Sequence, residues 1–182
     1  LVLGLAAFAA PEARAQVPYE IALDTAVYNP ISTGTTFLPE VYSFGYDRWD
    51  EGAAELPLPF VFRWFGRGYR SVWVYTNGLL SFDAPPTGPV NILRAPPVVP
   101  SPGNVPHNFI APLWQNLEAS PAVGTPPEIR LLIQGTTPNR VAIIQVSGLR
   151  KSGAPSSLVE FQVRLEERTS SVQIIYSPNG FG

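Results

Sequence analysis

The stretch LVEFQVRLE, residues 158–166, alternates apolar and polar side chains from Leu158 to Glu166. Val159, Phe161, Val163 and Leu165 fall on one side of an extended chain, and Glu160, Gln162, Arg164 and Glu166 on the other. Successive side chains of a strand point to opposite faces, so this pattern fits a half-buried antiparallel strand with one wet face. Val172 to Tyr176 follow a short polar turn and complete a hairpin with it. The same period runs through LPLPFVFRWF, residues 56–65. Leu58, Phe60, Phe62 and Trp64 share one face; Pro59, Val61, Arg63 and Phe65 share the other. Pro59 cannot donate to a ladder, so it marks an edge or a bulge. Gly66-Arg67-Gly68 then turns the chain. Ile129 to Gln134 and Val141 to Ser147 read as two further strands, joined by a loop holding Gly135, Pro138 and Asn139. No helical period is found after the N-terminal segment. Eight or more short strands separated by turns predict an all-β fold, an antiparallel β-sandwich.

SVWVYTNGLLSF, residues 71–82, is a hairpin whose register decides which side is inside. A two-residue Asn77-Gly78 turn pairs Tyr75 with Leu80 and leaves Val72, Val74, Thr76 and Leu79 on a mixed face. A three-residue loop, Thr76-Asn77-Gly78, pairs Tyr75 with Leu79 and Val74 with Leu80. One face is then Val72, Val74, Leu80 and Phe82, wholly apolar. Burial selects the cleaner face, so the second register is expected. Those four residues, with Phe60, Phe62, Trp64, Phe161, Val163 and Leu165, are the expected core. Trp73 and Tyr75 then lie on the outer face, at least partly accessible. The competing reading folds the Pro-rich loop over them as a second small core.

The chain has 182 residues with 21 prolines and 15 glycines, enough for one domain with long loops. Residues 83–108 hold eight of those prolines and cannot pair continuously. Residues 117–127 are read as a shorter stretch of the same kind. There is no cysteine, so disulfide and thiol chemistry are excluded. The N-terminal LVLGLAAFAAPEARAQ is an apolar run ending in Ala13-Arg14-Ala15, the pattern of a secretory signal with its start missing; it is too short to span a bilayer. Residues 1–15 are therefore expected to be removed, and residues 16–182 to form a single exported domain. At the other end, Ser177-Pro178-Asn179-Gly180 is turn chemistry. It suggests a further strand beyond residue 182, with Val172 to Tyr176 as an exposed edge open to strand addition.

Four blocks in order, LPFVFRWFG (58–66), VWVYTNGLLSF (72–82), NFIAPLWQNLE (108–118) and LVEFQVRLEERTSSVQIIY (158–176), resemble the extracellular domain called nidogen-like. Nidogen, alpha-tectorin and many secreted bacterial proteins share that domain. The resemblance spans roughly residues 47–176. It implies a β-sandwich module of matrix and adhesion proteins, without catalytic residues of its own, working outside the cell or in its envelope. It also implies apolar residues at Val72, Val74, Leu80 and Phe82. Where the family often carries acids after the tryptophan of its third block, this chain has Gln115 and Asn116.

The residue inventory sets the remaining expectations. The one histidine, His107, lies in the Pro-rich loop, and no G-x-S-x-G elbow precedes a helix, so no catalytic residue is assigned. Asp47, Asp50 and Glu51 cluster before Gly52 and could hold calcium, without the loop pattern of an EF-hand; no other cofactor is implied. A formal net charge of −2 gives no field for nucleic acid or anionic lipid. The expected function is a non-enzymatic extracellular interaction or structural module with a protein or glycan partner. The alternative is a carbohydrate-binding module using Trp73, Tyr75 and Trp49 as an aromatic platform.

Overall fold

The computed structural model describes residues 19–23, 25–41, 47–85, 108–119, 126–154 and 157–178. The signal-like segment, His107, most of the Pro-rich stretch and residues 179–182 lie outside them. Among the described residues there are eleven strands and no helix, so none could cross a membrane as a helix. The strands are β1 (Thr35–Phe37), β2 (Glu40–Val41), β3 (Gly52–Trp64), β4 (Arg67–Tyr75), β5 (Leu79–Ser81) and β6 (Phe109–Ile110). They continue with β7 (Leu117–Ala119), β8 (Glu128–Gln134), β9 (Val141–Lys151), β10 (Val159–Glu166) and β11 (Val172–Tyr176). One sheet runs β1-β8-β9-β10-β11, with β7 also paired to β9; the other runs β2-β3-β4-β5-β6. All pairings are antiparallel. The two sheets face each other across one core, the expected sandwich.

The three-residue hairpin loop is observed. Val74 pairs with Leu80 and Tyr75 with Leu79, and Gly78 sits at φ 79° with its N–H bonded to Tyr75 O. All ten expected core residues are buried in one cluster. Phe62 and Phe82 stack there with centroids 5.3 Å apart. The ladder between β3 and β4 shifts register between Pro57 and Phe62, the bulge that Pro59 requires.

Three expectations are corrected. The turn after β3 is Phe65-Gly66, not Gly66 to Gly68: Trp64 pairs with Arg67, and both turn residues have positive φ, 45° and 79°. That is the geometry of a two-residue hairpin whose twist matches its strands. Second, residues 117–119 are a strand. Leu117 is fully buried, and β7 continues the edge of β9 where β8 leaves it. Gly148, φ 72°, stands at the changeover, and a Cβ there would lie 2.6 Å from Pro126 O. Third, the polar face of β10 is not wet at its centre. Gln162 is fully buried, and its Nε2 donates to Asn29 O at 2.6 Å and to Gln145 Oε1 at 2.9 Å. Gln145 Oε1 also accepts from Ile31 N–H at 2.9 Å, and Arg130 reaches Ser32 O. Residues 29–32 thus cross the outer faces of β10, β9 and β8 as a strap.

Candidate functional site

The expected aromatic platform is not assembled. Tyr75 is 0% exposed and packs with Ala53 and Leu79 as a second small core. Trp73, Phe109 and Trp114 close that core from the side, the last two in edge contact at 5.2 Å. The cause is the NFIAPLW block. β6 adds to β5 beyond the hairpin, and the chain then folds back over the outer face of β4 and β5. Burial raises the Tyr75 phenol pKa well above its ordinary value, and the nearby Asp83 charge adds to it. Trp49 is elsewhere, half-buried against the main core. Tyr75 is therefore a packing residue, and Trp49 does not share a surface cluster with Trp73.

The Thr76-Asn77-Gly78 loop is a buried junction. Thr76 Oγ1 donates to Asp50 O at 2.8 Å and accepts from Gly52 N–H at 3.0 Å. Asn77 Oδ1 accepts Leu117 N–H at 2.8 Å, and its Nδ2 donates to Glu51 Oε2 at 3.3 Å. The Glu51 and Asp47 carboxylates are spent in this junction and its turn, and Asp50 joins it through its main-chain carbonyl. Glu51 is 1% exposed, and Asp47 Oδ1 accepts the N–H of Trp49. Among the described residues no three histidine or carboxylate side chains converge on a point that could hold a metal ion, Asp47, Asp50 and Glu51 included. The reason is directional: Glu51 faces inward to Asn77, while Asp47 closes its own turn.

One surface feature escaped the sequence reading. At the tip of the β3–β4 hairpin, Phe65 is 46% exposed with its backbone in the left-handed region. Trp64 packs against it edge-on at 4.8 Å, and Tyr19 contacts both rings, at 4.5 Å from Trp64 and 5.1 Å from Phe65. Tyr19 Oη donates to Arg63 O at 3.0 Å. Beneath them Phe82 touches both Trp64 and Tyr69. Trp64 Nε1 and Tyr69 Oη are buried polar atoms with no hydrogen-bond partner. The Arg63 N–H donates to Ser170 Oγ, which ties the tip to the β10–β11 turn. Arg63, Arg67, Arg70 and, on that second turn, Arg168 are exposed. The period-two pattern hinted at none of this, because it places Phe65 as one more outward residue and says nothing of turn strain.

Two antiparallel sheets closed over a common core, with loops folded back on both outer faces, define an all-β sandwich module. The chain belongs to the family described as NIDO related, whose profile matches residues 18–181. The family is related to the extracellular nidogen module, as the four sequence blocks implied. No curated protein and no solved structure matches the chain at a significant level.

Proposed function

We propose that this chain is a non-catalytic, exported interaction or structural module that works in an extracellular matrix or at a cell surface, holding a protein or glycan partner. The observation that carries the reading is the NIDO-related match, which takes in every strand of both sheets. The A-x-A pattern at residues 13–15 supports export. The commitment of the acidic and hydroxyl side chains around Asn77 to structural hydrogen bonds favours binding over chemistry at that junction. Fractionation of the producing cells, combined with deletion of the coding sequence, tests the proposal. The chain should be recovered outside the cytoplasm. The deletion should reduce attachment of cells to one another or to a surface, and added purified protein should restore it. Retention in the cytoplasm, or turnover of a polymer by the purified chain, overturns it.

A further inference from the structure

We infer that the β3–β4 hairpin tip is a binding site for an acidic polysaccharide, with Phe65 as the sugar-stacking ring and Arg63, Arg67 and Arg70 as the anion contacts. The inference deepens the extracellular reading above and rests on it.

The tip is costly to the fold in two ways. A bulky residue at φ 45° is a true backbone outlier, and the turn type seen here is ordinarily served by Asn-Gly or Gly-Gly. The strained residue is also an aromatic left 46% exposed. Strain of this kind persists where surrounding structure over-determines it, and it gathers at ligand sites. Here the surroundings are in view. Trp64 and Tyr19 hold the Phe65 ring from two sides, so the ring is fixed before any ligand arrives. Ser170, with φ 55°, lies in the adjoining turn, so two of the three non-glycine residues with positive φ among the described residues meet at this end.

The charges point to an anion. The whole chain has a net charge of −2, yet Arg63, Arg67 and Arg70 are exposed on the two strands that flank this turn and Arg168 on the adjoining turn, and none makes an ion pair among the described residues. Of the two carboxylates on the adjoining turn, Glu167 is ion-paired away from the tip and Glu166 keeps its charge while bonded within the turn. Glu167 pairs with Arg140 at 2.6 Å, and Glu166 Oε2 accepts Thr169 Oγ1–H at 2.8 Å. A guanidinium offers a planar fork that fits carboxylate and sulfate oxygens in pairs. A fixed aromatic face packs against the C–H face of a pyranose ring.

Other polyanions fit less well. A lipid surface takes stable hold through a broad apolar face, whereas Tyr19, Val61 and Phe65 at the tip are each only 37–46% exposed and stand among arginines. Single-stranded nucleic acid is held by successive stacking rings along a groove, whereas this tip presents one ring at an apex.

The test uses the whole chain, titrated with dextran sulfate and with polygalacturonate, and with neutral dextran as control. One or both acidic polymers should bind and neutral dextran should not. The double variant Arg63→Gln/Arg67→Gln should weaken binding roughly ten-fold and flatten its salt dependence. Phe65→Asn should weaken binding roughly five-fold while its melting temperature holds or rises, because Asn tolerates positive φ. That opposition of affinity and stability is what a purely structural Phe65 would not give. Unchanged affinity in Phe65→Asn overturns the site. Tighter binding of phosphatidylserine vesicles or of an oligodeoxythymidylate overturns the choice of ligand. An exported chain that ignores both acidic polymers overturns this inference alone, whereas a chain retained in the cytoplasm overturns the reading beneath it.

Discussion

Asn77 joins three pieces of chain that are far apart in sequence: the loop it sits in, Glu51 before β3, and the N–H of Leu117 at the head of β7. A buried amide with both ends used is expensive to lose, because its partners keep their desolvation cost without their hydrogen bond. Asn77→Ala should therefore destabilise the domain by about 3 kcal/mol, the cost of two buried groups losing a partner. Denaturant melts measure it, and a loss below about 1 kcal/mol would mean that water serves the junction as well. Phe161→Ala, at the centre of the main core, should cost about 3–5 kcal/mol by the same measurement. The sequence announced these two residues differently. Phe161 was legible because alternation marks a face directly. Asn77 was legible as a turn former, but its burial depended on Leu117, forty residues on, and no local pattern carries such a contact. Tyr75 was misplaced for the same reason, since the NFIAPLW block that covers it leaves no trace in the hairpin's own pattern.

At the scale of elements, period-two alternation found β3, β4, β8, β9, β10 and β11, and it fixed the register of the central hairpin. It missed β1, β2, β6 and β7, which have two or three residues each, too few for a period to repeat; β5 is as short and was legible only as the return strand of the Asn77-Gly78 hairpin. The β9–β10–β11 end is pinned by Arg140, which donates from Nε and Nη2 to Glu167 at 2.8 and 2.6 Å. The Arg140 hydrogen bond is the main cause that lowers the Glu167 pKa from its ordinary 4.5. A carboxylate held below its unfolded value contributes stability that is full above that value and is lost as pH falls through the folded one. Thermal stability should thus decline below about pH 4.5, and Glu167→Gln should be less stable at neutral pH with a flatter acid limb. Parallel acid limbs in the two proteins would show that other groups set the decline. β11 makes a second test. It is the longest edge strand of either sheet, and Ile174 is exposed on it without a charged side chain between Val172 and Tyr176. Long uncharged edges invite strand addition, and a lysine blunts them. If a partner strand docks there, Ile174→Lys should lower self-association in sedimentation without lowering the melting temperature. Equal association would remove the edge from the list of contact surfaces.

Over the whole molecule, what the sandwich buries is set by its outer coverings as much as by its core. The inner faces were readable from alternation and are as expected. The outer face of the larger sheet was read as solvated, yet Ile143, Gln145, Gln162 and Ile175 are all at or below 5% exposure there. The strap of residues 29–32 is bonded to the two glutamines, which neighbour Ile143 and Ile175 on that face. Gln145 offers both ends of its amide to the backbone of Ile31, accepting at 2.9 Å and donating at 3.4 Å, much as a neighbouring strand would. Gln162 donates from Nε2 to Asn29 O, and Tyr28 settles beside Glu160, its phenol pushed up to about 12 by burial first and by the Glu160 charge second. The two glutamines look like ordinary solvent-facing positions in sequence. Their role appears only when the strap, more than a hundred residues earlier in the chain, is laid on them. Removing residues 19–33 should strip this cover while leaving both sheets their core. The loss combines about 1 kcal/mol for each glutamine hydrogen bond with partial exposure of two isoleucines, so a destabilisation of about 3–5 kcal/mol is expected. The shortened chain should keep its far-ultraviolet β signal and gain binding of a hydrophobic dye. A melting temperature equal to that of the longer chain, with no added dye binding, would show that the strap rests on the sheet without stabilising it, and the two buried glutamines would then need another explanation.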